Sequence, residues 1–483
     1  MKRGSAEEIK MDLAVIGSGV SGLASAVIAA QGGLKVILFE KQQSMGGSSN
    51  FFEGIFAVES DMQRERYIDY TRDQAFKNIM EYSHWRADAR LVRAIVDESA
   101  GSIRWLQSLG IEFTDATINM PGAPQTYHVV KGEAVIKQLA TKAKELGVVL
   151  RLGVPVKSVL REGGPVSGVI VEENGTDTDI KCKSVMIASG GYANNREWIK
   201  KYAGFDLGVN IFPLGNVDKM GDGIRMAWEA GAEKGEIGVL EMLRIAPFGP
   251  QYPMKNHVEF VAIQPDLWIN PQGERFCDEG IAFFDTSVGN ANARFKEGHT
   301  YSIFDDTIKE DVIRNGTTRG VGFDVPPGTH AVNFAKDLDF ILKIGGDDVF
   351  MADSIEDLAE KIKVDPNTLK STIEEYNRFC EKGHDDLFAK NPKYLRPLKG
   401  PKFYAVKART VFLGSMGGIK INHKMEVVDK KGNVVQGLYA GGMDASGMWG
   451  DSYCMNPSSG LSSAFALNSG VIAGKNVLEY LGK

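Results

Sequence analysis

Met11-Asp12-Leu13-Ala14-Val15-Ile16-Gly17-Ser18-Gly19-Val20-Ser21-Gly22 decides the fold. A short apolar run at residues 11–16 meets three glycines spaced G-x-G-x-x-G, and an Ala-rich, helix-favouring stretch follows over residues 20–30. Gly32-Gly33 stops that helix, and residues 34–39 read as a second buried strand ending at Glu40. Strand, glycine turn, helix and strand predict a βαβ unit with a parallel sheet. Gly17 permits the tight turn, Gly19 lets backbone approach a pyrophosphate, and Gly22 allows close helix–strand packing. Unpaired N–H groups of the helix N-terminus, Val20 and Ser21 among them, suit the phosphates. Glu40 is placed to accept hydrogen bonds from a ribose 2′-hydroxyl. An adenine dinucleotide is therefore expected at this turn.

Working outward, Lys41 leads into Met45-Gly46-Gly47-Ser48-Ser49, a second small-residue loop soon after the ribose-binding acid. Such a loop lets backbone and hydroxyls reach the pyrophosphate side of an extended FAD, and an NAD-only fold does not need it. Residues 60–110 and 131–146 look helical, and residues 148–171 alternate as strand, broken by Gly163-Gly164. An apolar strand at residues 184–188 ends in Ala188-Ser189-Gly190-Gly191. The middle third is more charged, with a helix expected over residues 368–379. After Arg409 the small-residue style returns: Gly437 to Asp444, with Gly442 inside, reads as a strand and turn ending in an acid. Ser459-Gly460-Leu461 then opens a last helix over residues 461–481, whose N–H groups suit the electron-rich pyrimidine edge of a flavin.

Composition agrees with this partition. The chain has 483 residues, 43% hydrophobic and 24% charged, and 55 glycines. Roughly 7% glycine is ordinary usage; only 13 of the 55 fall in the 168 residues of 241–408, so the excess lies in the flanks. A net charge of -6 gives no case for nucleic acid or an anionic membrane surface. The four cysteines form no CxxC pair, which excludes a zinc knuckle or c-type haem attachment. Residues 13–39 are apolar but interrupted by glycines, Gln31 and Lys35, unlike a spanning helix of about 20 uninterrupted residues. With no apolar leader in residues 1–10, a soluble, cytoplasmic protein without membrane contact is expected.

Taken together, these residues resemble the flavoprotein superfamily of soluble fumarate reductases and 3-ketosteroid dehydrogenases. The likeness includes the residue 15–22 turn, Gly46-Gly47-Ser48, Ala188 to Gly191, Gly221-Asp222-Gly223 and Asn270-Pro271-Gln272-Gly273-Glu274-Arg275-Phe276. It continues through Tyr301 to Asp306, Met416-Gly417-Gly418 and Gly437-Leu438-Tyr439-Ala440. It implies non-covalent FAD and an α/β fold: a Rossmann-like FAD-binding domain split in sequence by an inserted α+β capping, or substrate, domain. The implied division is 1–240 and 409–483 for FAD and 241–408 for the cap, with Val156 and Asp222 among the cofactor-binding residues. A form without a haem domain is expected.

The family's dicarboxylate chemistry does not carry over. Eight residues beyond Arg275, where a fumarate reductase has its proton-donating Arg, stands Phe283. Gly414 replaces the substrate-binding His, and Pro457 falls where an Arg is expected, so fumarate and succinate are rejected. Phe283, Phe284, Met416, Met443, Met448, Trp449, Tyr453 and Met455 instead suggest a flat apolar ligand. Tyr453 resembles, about three residues out of register, the Tyr with which 3-ketosteroid dehydrogenases bind the substrate keto oxygen. Tyr453, Arg409 and Tyr127 are the candidate catalytic residues. Arg244 is a further candidate for a proton or carboxylate contact, and His128 and Cys454 read as structural.

The expected function is reduction of an activated C=C bond of an apolar, enone-type substrate, a steroid-like one among the options, by hydride from flavin N5. The reverse desaturation beside a ketone, and an electron-transfer flavoprotein subunit, are the alternatives. The electron donor is left open among NADH, reduced flavin and a separate carrier protein.

Overall fold

A computed structural model of the chain describes residues 10–118, 120–322, 325–454, 456 and 458–483. Met455, Pro457 and the first nine residues, on which parts of the sequence reading fall, lie outside the described residues.

The opening stretch folds as its punctuation dictates. Strand Lys10–Ile16, helix Val20–Gln31 and strand Val36–Glu40 follow in order, and the two strands pair in parallel with Leu13 opposite Val36. The helix has no polar face: ten of its twelve residues are buried, and Gly32 ends it. A helix apolar all round must be covered on both sides, here by the sheet and by helix Leu461–Tyr480. Gly470 and Gly474 make that crossing close: a Cβ on Gly470 would meet Ser21 O at 2.2 Å.

The eight-stranded sheet runs Glu426–Val428, Val434–Ala440, Thr176–Ile187, Lys10–Ile16, Val36–Glu40, Val149–Leu152. The four pairings from Val434–Ala440 across to Val149–Leu152 are parallel, whereas Glu426–Val428, Val156–Leu160 and Gly168–Glu173 join by antiparallel ladders, so the sheet is mixed. The alternating stretch at residues 148–171 is three strands: Gly153 separates Val149–Leu152 from Val156–Leu160, and the Gly163-Gly164 turn reverses the chain into Gly168–Glu173. The helical reading of residues 60–110 resolves into Asp61–Glu65, Arg72–Tyr82 and Ala89–Ser108, each opened by a side-chain cap from Ser60, Thr71 or Asp88.

The chain divides into two compact units. The first comprises Met1–Gly204, Gly215–Glu241 and Leu413–Lys483; the second comprises Phe205–Leu214 and Met242–Phe412. Residues 205–214, which the sequence division put before the insertion, belong to the second unit because Phe212–Pro213 pairs in parallel with Val411 and Phe412. The second unit has its own core, built from Val258, Leu267, Ile303, Ile341, Leu369, Tyr376 and Val406 with their neighbours. Its helices stand against a sheet ordered Phe212–Pro213, Phe403–Ile419, His299–Asp305, Leu267–Ile269. Among the described residues no helix is long and apolar enough to cross a membrane.

Candidate active site

In the first unit two glycine-rich loops are laced together. Gly17 N–H donates to Phe39 O at 2.8 Å, and its φ of +104° is open to glycine but strained for other residues. A Cβ on Gly17 would meet Ala188 O at 2.2 Å, and one on Gly22 would meet Gly17 O at 2.0 Å. From the second loop, Ser49 Oγ accepts from Val20 N at 3.1 Å, so the Val20 N–H expected to be free for the phosphates is already paired, and Gly46 N donates to Ser18 Oγ at 3.1 Å. Helix Val20–Gln31 has no side-chain cap, and the N–H groups of Ser21 and Gly22 have no partner among the described residues. Unpaired donors on a positive helix end, in a cradle that Cβ atoms would fill, fit a pyrophosphate.

Glu40 is fixed beside them. Its Oε2 accepts from Ser18 N at 3.0 Å and Ser18 Oγ at 2.7 Å, and its Oε1 accepts from Gln42 N at 2.9 Å. A carboxylate offers about four lone-pair directions, so one remains for a ribose hydroxyl. Lys41 and Asp222 are brought together, Nζ donating to Oδ2 at 2.8 Å. Burial would lower the Lys41 pKa, but Asp222 and Asp218 outweigh it and hold the ammonium above its ordinary value. Ser48 Oγ donates towards Gly215 O and Asn216 Oδ1 and accepts from Lys219 Nζ at 2.6 Å. Gly47, at φ +50°, has open space where a Cβ would lie.

Sequence reading missed Lys219. Burial pushes its ammonium down to about 8, against the pull of Asp444 and Glu40. A lysine in a loop carries no motif, and only the fold brings it to Gly190, whose Cβ position is 3.0 Å from Nζ.

Just after strand Val434–Ala440, Asp444 is fully buried and its carboxylate accepts from the backbone N–H of Ser189, Gly190 and Gly191 and from Ser189 Oγ. Burial raises its pKa, with these donors opposing. Its direct role is to hold the Ala188 to Gly191 turn in place. Gly442, at φ +60°, donates to Ser469 Oγ at 3.0 Å, which in turn lies 3.3 Å from Ser21 Oγ. Val156 is buried opposite Val171. Gly460, at φ +80°, opens helix Leu461–Tyr480 without a side-chain cap, leaving the N–H groups of Ser462 and Ser463 without partners among the described residues. The packed turn, the fixed acid and two uncapped helix ends together suit FAD.

The three catalytic candidates separate. Tyr453 and Tyr127 share the first unit, both buried, and a carboxylate acts on both: Glu241, itself buried. Burial first, and then Glu241, hold the Tyr453 phenol well above its ordinary pKa, while the Ser462 hydroxyl opposes. Tyr127 is raised by burial, Glu53 and Glu241. It packs on Gly460 and Gly54, where Cβ atoms would meet its ring at 3.0 and 2.2 Å. The Trp449 ring lies 4.9 Å from that of Tyr453, and the Met443 Cε sits 2.7 Å from a Cβ built on Gly414. Arg409, in the second unit, donates to Asp348 Oδ1 at 2.7 Å and covers the Phe212 ring, which gives it an ion pair of its own. His128 is buried between Ser60 Oγ and Thr126 O and pushed down to about 4 by burial, a neutral structural imidazole.

A family model described as FAD binding domain matches residues 12–460. Vinyl phenol reductase from Lactiplantibacillus plantarum is 33% identical over 480 residues, covering 97% of this chain and 96% of that protein. Fumarate reductase (cytochrome) from Shewanella frigidimarina is 27% identical over 492 residues, covering 99% of this chain and 79% of that one. Among solved structures, 3-ketosteroid-Δ4-(5α)-dehydrogenase from Rhodococcus jostii RHA1 superposes with a TM-score of 0.74 at 20% identity, over 97% of this chain and 98% of that one, a likeness of fold.

Proposed function

The chain belongs to the FAD binding domain family, and on that premise we propose that it reduces an activated C=C bond of a flat, largely apolar, enone-type substrate. Bound FAD supplies the hydride. The chain supplies the cradle, the polarising groups and the proton. The reading is carried by the buried Tyr453–Glu241–Tyr127 cluster at the start of the last helix. A phenol held far above its ordinary pKa stays protonated at neutral pH, so Tyr453 acts only as a donor. Its O–H polarises the conjugated oxygen or delivers a proton to the α-carbon while hydride reaches the β-carbon. Glu241 orients that hydroxyl, and Tyr127 shares the carboxylate. The residues with unpaired N–H groups at the two uncapped helix ends, with Glu40 and the residue 46–49 loop, hold the cofactor. The second unit serves as the capping, substrate-bearing domain.

A small dianion is poorly served. Residue 283 is Phe, and an imidazole at position 414 would collide with Met443, whose Cε lies 2.7 Å from the Cβ position. The relative named vinyl phenol reductase has, by that name, a substrate with a single oxygen function on a flat ring, which supports the same choice here. The test is anaerobic. The flavin of the holoenzyme is reduced, and enones, vinylphenols and fumarate are added while its absorbance is followed. Reoxidation by the first two classes is expected; reoxidation by fumarate alone sinks the reading. Tyr453→Phe is expected to slow reoxidation at least about 100-fold, the lower end for a lost general acid, with FAD content unchanged.

A further inference from the structure

Five arginines in the second unit lie in buried or partly buried surroundings, and four of them have carboxylates. Arg275 bonds Glu279 and Asp385, Arg319 bonds Asp285, Arg396 bonds Asp266 and Asp311, and Arg409 bonds Asp348. Arg244 is the exception. It is 7% exposed, and its guanidinium meets hydroxyls alone: Nε donates to Thr300 Oγ1 at 3.0 Å and Nη2 to Ser302 Oγ at 3.0 Å. Its carbon Cζ lies 4.2 Å over the Trp268 ring.

Strand register builds this seat. Thr300 and Ser302 are alternate residues of His299–Asp305 and share a face, and Ser302 stands directly opposite Trp268 on Leu267–Ile269. The hydroxyls are themselves aimed: Thr300 Oγ1 donates to Asn292 Oδ1, and Asn292 Nδ2 donates to Thr410 Oγ1 at 2.8 Å. Every member of this network is neutral except Arg244. Among the described residues Nη1 has no hydrogen-bond partner, yet it is not fully enclosed, so the residual exposure of Arg244 includes this end of the fork. Burial pushes the guanidinium down to about 9, which leaves it charged at neutral pH. The carboxylate whose charge acts on it, Glu279, is already bonded by Arg275. A buried cation with no ion-pair partner of its own is costly, and a planar fork with free donors matches a planar oxyanion.

We propose that Arg244 is an oxyanion seat of the second unit, taking a single carboxylate or phenolate carried by the unsaturated substrate. This rests on the C=C reductase reading and specifies its substrate class: one oxyanion on a flat, otherwise apolar skeleton.

The test uses oxidised holoenzyme and two non-reducible probes, benzoate for the carboxylate source and 4-nitrophenolate for the phenolate source. Calorimetry follows the first, and the absorbance shift of the chromophore follows the second. Binding of at least one probe is expected, weakened about ten- to hundredfold in Arg244→Gln, the loss typical of charge-assisted hydrogen bonds. Arg244→Lys keeps the charge without the fork and is expected to fall between. If Arg244→Gln does not fold, Arg244→Lys and Ser302→Ala carry the test, each expected to weaken binding several-fold. Absence of binding by the wild type, or equal affinity in the folded variants, overturns the seat. Enone reoxidation unaffected by Arg244→Gln, together with unchanged probe affinity, removes the seat and leaves the reductase reading standing. Arg244-dependent probe binding with no alkene able to reoxidise the flavin does the reverse.

Discussion

Glu259 and His128 show how burial converts single side chains into pH dependence. Glu259 is 3% exposed and takes one backbone hydrogen bond, from Lys255 N at 2.9 Å. Burial pushes its carboxyl up to about 7 from the ordinary 4.5. Between those values the folded state holds a proton that the unfolded chain has released, so stability falls as pH rises through the window. At about 1.4 kcal/mol per pH unit, discounted for relaxation, the penalty above pH 7 is about 2–3 kcal/mol. Glu259→Gln is therefore expected to gain about 2 kcal/mol in urea unfolding at pH 8 and almost nothing at pH 4.5. An equal gain at both pH values refutes the assignment. His128 has the opposite sign: its folded value of about 4 lies below the ordinary 6.5. Its stabilisation is complete above pH 6.5 and is lost as pH falls towards 4.

At the scale of elements, the strand–turn–helix is where a single methyl is most damaging. Gly22→Ala places its Cβ 2.0 Å from Gly17 O, a backbone atom that cannot retreat without opening the turn. This variant is expected to purify without flavin. Gly19→Ala meets Ser49 Oγ at 3.3 Å and Gly46 O at an ordinary 3.8 Å, and a roughly tenfold weaker FAD affinity, measured by titration of the apoprotein, is expected from losing about one good hydrogen bond. Comparable FAD binding by both variants contradicts the packing argument. This element was readable in advance because its signals are local: hydrophobic period, glycine spacing and an acid at a fixed offset. The helices Gly132–Glu145, Pro366–Lys382 and Leu461–Tyr480 were legible for the same reason. Residues 205–214 were not, because their membership depends on two residues pairing with Val411 and Phe412, far away in sequence. Strand Lys234–Ile245 hid Glu241, whereas Arg244 was readable as a candidate for a proton or carboxylate contact. Only long-range packing buries the acid beside Tyr453 and the cation over Trp268. Lys219 had no local signal at all. Conversely, Arg409 was conspicuous in sequence, yet Asp348 occupies its guanidinium.

For the whole molecule, two compact units with separate cores imply two unfolding events with different controls. FAD held as proposed by the residues of the first unit is expected to stabilise that unit by about 2.7 kcal/mol at a free concentration 100 times the Kd. The second unit is held by a buried network in which Arg275 bonds Glu279 and Asp385 while Lys390 lies 3.3 Å from Glu279. Removing one member of such a network leaves uncompensated charge and costs about 3–5 kcal/mol. In calorimetry, added FAD is expected to raise one transition, and Arg275→Gln to lower the other without changing FAD affinity. The titrating residues sharpen the distinction because they lie in different units: His128 in the first and Glu259 in the second. Acidification from pH 8 to pH 5 should lower the FAD-sensitive transition through His128 and raise the Arg275-sensitive one through Glu259. The two peaks should move in opposite directions. A single peak that FAD, Arg275→Gln and pH all displace together would mean that the units unfold as one body despite their separate cores.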